Sequence, residues 1–196
     1  MYETEWMNLK DNLHRLEIVP EFEHLVKNGF IYRFDGTEYR FLSNFYMHEI
    51  TYKGKVYAST EHAYQAMKTL DEDWAEAIRL AETPSKAKKK GGLCPLRPDW
   101  DEIKDQIMDE VLALKFADPE LEQSLIDTYQ KYLVEGVTWH DNFWGICLKR
   151  DCERGCLEKT GKNHLGLALM RLREKLTVQR IKEEVEMAKY LSKSSG

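Results

Sequence analysis

Glu61, His62, Tyr64, Gln65 and Lys68 follow a Ser59-Thr60 pair that can cap a helix. At about 100° per residue, a helix running on to Thr69 places Glu61, Gln65 and Lys68 on one face with Tyr64 beside them. Glu61 then lies near the positive end of the helix dipole, and the Lys68 amine, further along the same face, can pair with it. A surface Glu and Lys on an ordinary amphipathic helix give the same spacing, although a solvated face has no need of Tyr and Gln between them. A second group is Glu135, Trp139, His140, Asp141, Trp144 and Gly145. Two carboxylates spanning a strand end and the loop after it can reach a common cleft, and the tryptophans offer flat surfaces to a base or a sugar. An aromatic lid with Asp141 in a turn fits the same residues. A third is Gly161-Lys162-Asn163-His164-Leu165-Gly166, where backbone amides at a helix start suit a phosphate and Asn163 can cap the helix or bind a sugar hydroxyl. It is neither a Walker nor a dinucleotide fingerprint. The fourth is Ser43-Asn44 between Phe41-Leu42 and Phe45, for which a simple turn is an equal explanation.

The elements that must carry these groups follow from periodicity and punctuation. Residues 1 to about 28 have apolar residues at helical spacing broken by Pro20, which predicts one or two short helices. A loop around Phe41 to Phe45 precedes a hairpin, Ile50-Thr51-Tyr52 and Val56-Tyr57, turned at Lys53-Gly54-Lys55. Beyond the Thr60 helix come helices over Asp73–Ala81, then from Thr83-Pro84-Ser85 to the Gly91-Gly92 pair, then from about Ile103 to Asp118-Pro119, then Glu120–Gln130. A strand is expected at Tyr132–Val137, a long loop at Trp139–Lys162, a helix at Leu165–Leu176 and a charged amphipathic tail at Thr177–Lys193.

Taken in order, these motifs resemble the NADAR (NAD and ADP-ribose associated) family. The resembling residues are Leu42-Ser43-Asn44-Phe45, Ser59 to Lys68, Arg97-Pro98-Asp99-Trp100 with Lys104 and Met108, and Leu114-Lys115-Phe116. Leu133-Val134-Glu135, Asp141, Trp144-Gly145 and Gly161 to Gly166 with Leu169-Met170 and Arg173 complete the set. Each piece is weak alone, and the ordered set is specific. The resemblance implies an α+β fold, mostly helical with a small β-sheet, over residues 30–176. A helical extension at 1–29 and a helical tail at 177–196 would flank it. It also implies that Glu61 and Asp141 are catalytic, with Trp100 and Trp144 lining the site. Family members are described as N-glycosidases that cleave riboflavin intermediates or remove ADP-ribose from guanine in DNA.

Cleaving a ribosyl C–N bond builds positive charge on the sugar, which carboxylates stabilise while an acid protonates the leaving nitrogen. Glu61 and Asp141 can fill both roles, or Lys68 can attack the ring-opened imine and form a Schiff base. Arg97 or Lys162 would hold a phosphate, Asn44 and Asn163 sugar hydroxyls, and the tryptophans the base; Tyr64, Gln65, Glu135 and Gly145 complete the expected lining. The expected partner is a substrate containing ribose phosphate or ADP-ribose, with ADP-ribosylated DNA a further candidate; no cofactor is implied. A non-catalytic module that binds ADP-ribose or NAD is the rival, but a binder gains nothing from carboxylates beside an anionic ligand.

The chain's 196 residues allow one substantial core, and 29 Lys plus Arg against 34 Asp plus Glu give a net charge of −5, so no global positive field attracts a polyanion. Lys86 to Lys90 with Arg97 can still form a local patch for phosphates. No apolar run suits a membrane span and the N-terminus lacks a signal peptide's pattern, so the expected compartment is the cytosol. Cys147, Cys152 and Cys156 are spaced five and four apart, unlike a compact Cys-x2-Cys zinc pair. With Cys94 they read as free thiols without a metal.

Overall fold

A computed structural model describes residues 29–34, 38–147 and 161–194. The helices expected in residues 1–28 lie outside these, as do Cys152, Cys156 and most of the loop expected before Lys162. In chain order the described elements are β1 (Phe30–Tyr32), β2 (Ile50–Tyr52), β3 (Lys55–Tyr57), α1 (Thr60–Ala66), α2 (Glu72–Arg79), α3 (Pro84–Gly91), α4 (Trp100–Lys115), α5 (Pro119–Asp127), β4 (Tyr132–Val134), β5 (Gly136–Val137), β6 (Ile146–Cys147) and α6 (His164–Ser194). The chain is α+β and mostly helical, as the resemblance implied, although the described strands form three separate two-stranded pairs instead of one sheet. The described residues form two compact units: those before Phe41 group with those of Gln130–Leu167, and those of Phe41–Tyr129 with those from Ala168 onward.

In the first unit, β1 runs parallel to β4 with Ile31 opposite Leu133, and the Phe30 and Tyr132 rings stack at 5.3 Å. The single strand expected at Tyr132–Val137 is broken at Glu135. Asn163 explains the break: its Nδ2 donates to the Leu133 carbonyl at 2.9 Å, and its Oδ1 accepts the Glu135 N–H at 3.0 Å. That amide therefore takes the place of a neighbouring strand, and β5 goes on to pair with β6. Gly166 permits the approach, since a Cβ there would lie 2.1 Å from the Leu133 oxygen.

The second unit is built around α1. All seven of its residues are buried, and α2, α3 and α4 pack on it. The β2–β3 hairpin turns at Lys53 and Gly54, with φ of 48° and 77°; both central residues are left-handed, so Lys55 belongs to the strand and not to the turn. Side chains cap the following helices: Ser59 on α1, Asp71 on α2, Thr83 on α3 and Asp118 on α5. The apolar stripe of α4, Ile107, Met108, Val111 and Leu112, is buried. The helix and tail expected separately after Leu165 are one helix, because nothing in Leu176-Thr177-Val178 breaks it. Arg180 ties this helix to Glu122 at 2.9 Å.

Candidate active site

Burial decides between the two readings of the Glu61 motif. Glu61 is 5% exposed, Tyr64 3% and Gln65 3%, so this is no solvated face. Polar groups on a buried helix require partners, and α1 supplies them. The Thr60 hydroxyl donates to the Asn44 carbonyl at 3.1 Å, the Glu61 N–H donates to the same oxygen at 3.1 Å, and Gln65 Nε2 donates to Glu61 Oε1 at 2.8 Å. His62 lies between the Ser59 hydroxyl at 2.8 Å from Nδ1 and the Ala81 carbonyl at 3.0 Å from Nε2. A carbonyl only accepts, so Nε2 carries the proton and Nδ1 accepts from Ser59. Burial lowers the pKa of this imidazole, against the opposing effect of the Ala81 bond.

Lys68 lies two residues beyond the last residue of α1. The helix stops at Ala66 and the Lys68 N–H donates to the Gln65 carbonyl at 3.2 Å, a tightened last turn. Its Nζ still lies 5.7 Å from the Tyr64 ring centroid and 5.9 Å from that of Trp100. The two rings are themselves 5.1 Å apart. Lys68 also draws down the Cys94 thiol, although burial is the larger influence and leaves that thiol raised. The Arg97 N–H donates to the Lys68 carbonyl at 2.8 Å, while the Arg97 guanidinium forks onto Asp99 at 2.6 and 2.9 Å. A phosphate at Arg97 therefore has to compete with a carboxylate already in place.

Gln65 is held by a contact that the sequence does not advertise. A Cβ at Gly91 would lie 2.1 Å from Gln65 Oε1, so only glycine leaves room for the amide that meets Glu61. That Oε1 is buried without a hydrogen-bond partner among the described residues.

The other candidate residues lie in the first unit. Asp141 Oδ1 accepts the N–H groups of Phe143 at 3.1 Å and Trp144 at 2.9 Å, the turn reading weighed for it; Oδ2 is the oxygen outside this turn. Trp144 meets Phe143 edge to face at 5.1 Å, and Phe143 stacks on His164 at 4.2 Å. Gly145 is required by close approach, since its Cβ would lie 2.3 Å from the Glu135 carbonyl. The amide cradle expected for a phosphate at Gly161 to Gly166 is not available. The N–H groups of Lys162, Asn163, His164 and Leu165 donate to the carbonyls of Asn142, Gly145, Phe143 and Trp144. This segment is a backbone clasp on the loop, and only the exposed Lys162 side chain, 5.4 Å from the Phe143 centroid, offers a cation. Asn163, fully buried, braces Glu135 instead of meeting a sugar.

Cys94 and Cys147 are free thiols, and among the described residues no cluster of His, Cys, Asp and Glu is arranged to hold a metal. Gly91 was expected only to end a helix and Lys115 only as part of the family motif; the contact of Gly91 with Gln65 and the burial of Lys115 go beyond both. Lys115 left a signal: it occupies an apolar-stripe position of α4, seven residues after Met108.

The family model described as the NADAR domain matches residues 30–177. The chain belongs to the NADAR domain family. Its relatives include "N-glycosidase YbiA" of Escherichia coli, 35% identical over 162 residues that make up 81% of this chain and 95% of that one. The NMR structure of the E. coli protein YbiA superposes with a TM-score of 0.66 at 32% identity, covering 78% of this chain and 88% of that chain. "Riboflavin biosynthesis protein PYRR, chloroplastic" of Zea mays is 32% identical over 152 residues, 68% of this chain but only 23% of the maize protein. In this NADAR chain α6 runs 17 residues past the end of the family match.

Proposed function

We propose that this chain hydrolyses the bond between a nitrogen base and the anomeric carbon of a ribose phosphate or ADP-ribose. Membership of a family whose full-length relatives are named N-glycosidases makes it an enzyme of that class, and this weighs against a module that only binds ADP-ribose or NAD. The observation that carries the site assignment is the Glu61 carboxyl: almost wholly buried, fixed by Gln65, on a helix whose last turn presents Lys68 over Tyr64 and Trp100. A buried carboxylate held in one orientation suits charge development on a sugar better than it suits an anionic ligand.

In the direct route, water adds to the anomeric carbon while the C–N electron pair passes to the base nitrogen, which takes a proton from one carboxyl group. Glu61 and Asp141 are the proposed pair, one as acid and the other as the base that accepts the water proton. In the second route the sugar ring opens to an imine, the Lys68 amine adds to that carbon and expels the base, and water then releases the sugar from the lysine Schiff base. The aromatic faces around Lys68 favour this route, since they hold its amine at one place beside the site. Borohydride added during turnover reduces such an adduct and leaves a ribosyl mass on Lys68. A wild-type rate in Lys68→Arg without any trapped mass leaves the direct route.

The riboflavin name of the maize relative favours a ribosylaminopyrimidine phosphate, and the net charge of −5 favours a small substrate over nucleic acid. Of the α3 lysines, Lys86 pairs with Glu82 and Lys88 lies over the Phe45 ring at 5.7 Å. Incubation with ribosylaminopyrimidine phosphate and, separately, with an oligonucleotide carrying ADP-ribosylated guanine tests the assignment: cleavage of the first alone is expected. Cleavage of the second alone reverses the substrate, and cleavage of neither removes the proposal. No helix of the described residues is long and apolar enough to cross a membrane, and the proposed place of action is the cytosol.

A further inference from the structure

Lys115 is completely buried at the end of a stripe that otherwise holds Ile107, Met108, Val111 and Leu112. A buried ammonium is costly unless polar groups meet it, and a methionine or leucine would fill such a position at lower cost. Its charge therefore calls for a use, and its partners supply one. Lys115 Nζ donates to the Ser43 carbonyl at 2.8 Å and lies 5.5 Å from the Tyr46 centroid and 5.2 Å from that of Phe116. The same carbonyl accepts the Tyr46 N–H at 3.1 Å, and Ser43 Oγ accepts the Phe45 N–H at 3.1 Å, so the ammonium locks a tight turn. Two helical turns earlier, Met108 Sδ accepts from Asn44 Nδ2 at 3.3 Å. Thus α4 grips Asn44 through its side chain and through the carbonyl before it. Asn44 in turn receives both the Thr60 hydroxyl and the Glu61 N–H on its own carbonyl.

We infer that Lys115 is a positioning residue for the reaction: it fixes the turn at Ser43 to Tyr46 and, through Asn44, the first turn of α1 and the direction of the Glu61 carboxyl. The inference rests on the proposed role of Glu61 and reaches a residue that never meets substrate. Misplacement of a reacting group by about 1 Å costs on the order of 100-fold in rate.

Lys115→Met keeps length and apolar stem while removing the charge. With ribosylaminopyrimidine phosphate as substrate, kcat should fall about 10- to 100-fold with a smaller change in KM, at a thermal midpoint equal to or above that of the parent. Amide hydrogen exchange at Glu61 should quicken while the rest of α1 is unchanged, and Lys115→Arg should recover part of kcat. Wild-type kcat in a folded Lys115→Met, unchanged exchange at Glu61, or a loss that merely follows a lower midpoint without rescue by arginine would each overturn the inference. Should Lys115→Met not fold, Met108→Leu removes only the sulfur contact to Asn44: reduced kcat supports α4 as the positioning element, and parental kcat contradicts it. A Glu61→Gln control separates the two levels. If that variant is as active as the parent, the proposed function of Glu61 fails, and the exchange at Glu61 in Lys115→Met still decides whether Lys115 fixes α1.

Discussion

Glu61, Gln65 and Gly91 form a chain of dependence in which the last member has no chemistry of its own. Gly91→Ala places a methyl group 2.1 Å from Gln65 Oε1 and 2.9 Å from Gln65 Cβ, so the amide must leave Glu61. We expect turnover to fall about tenfold, the typical effect of losing one hydrogen bond to a charged group of about 1.5 kcal/mol. In a Gln65→Ala background the same glycine substitution should have little further effect, which steady-state kinetics of the double variant will show. His62 sets a different test. Burial holds its folded pKa below the ordinary value of 6.5, so the unfolded chain takes up this proton more readily. Its contribution is therefore present above pH 6.5 and lost as pH falls through that value toward the folded pKa. Urea midpoints between pH 7.5 and 5.5 should decline less steeply in His62→Gln than in the parent.

At the level of elements, Asn163 does the work of a missing strand between Leu133 and Glu135. Asn163→Ala leaves a buried carbonyl and an amide without their partner, and should destabilise the chain by about 3 kcal/mol in a urea titration. The helix and hairpin starts were legible in the sequence because each is written locally: Ser59 and Thr83-Pro84 cap or open helices, and Gly54 turns the hairpin; Asp118-Pro119, expected to end a helix, also caps and opens the next. What was not legible depends on residues far apart in the chain. The break at Glu135 needs Asn163, 28 residues on, and the phosphate cradle expected at Gly161 to Gly166 gave way because loop carbonyls from Asn142 to Gly145 take its amides. Lys68 falls beyond α1 because the helix ends at Ala66 and not at Thr69, a boundary that no breaker residue marks.

For the whole molecule, the ordered motifs identified the family before any coordinate, whereas their roles divide on inspection: Glu61 and Gln65 are buried and mutually bonded, Asn163 is structural, and Arg97 is paired with Asp99. A net charge of −5 gives the molecule no global positive field for a polyanion. The central claim is that hydrolysis of an N-ribosyl bond depends on the Glu61 carboxyl. Turnover of ribosylaminopyrimidine phosphate by the parent and by Glu61→Gln measures it most directly, because glutamine keeps the size and the Gln65 contact while removing the acid. In Glu61→Gln, kcat should fall by about 100- to 10,000-fold with the unfolding midpoint preserved. Equal turnover by the two proteins would contradict it.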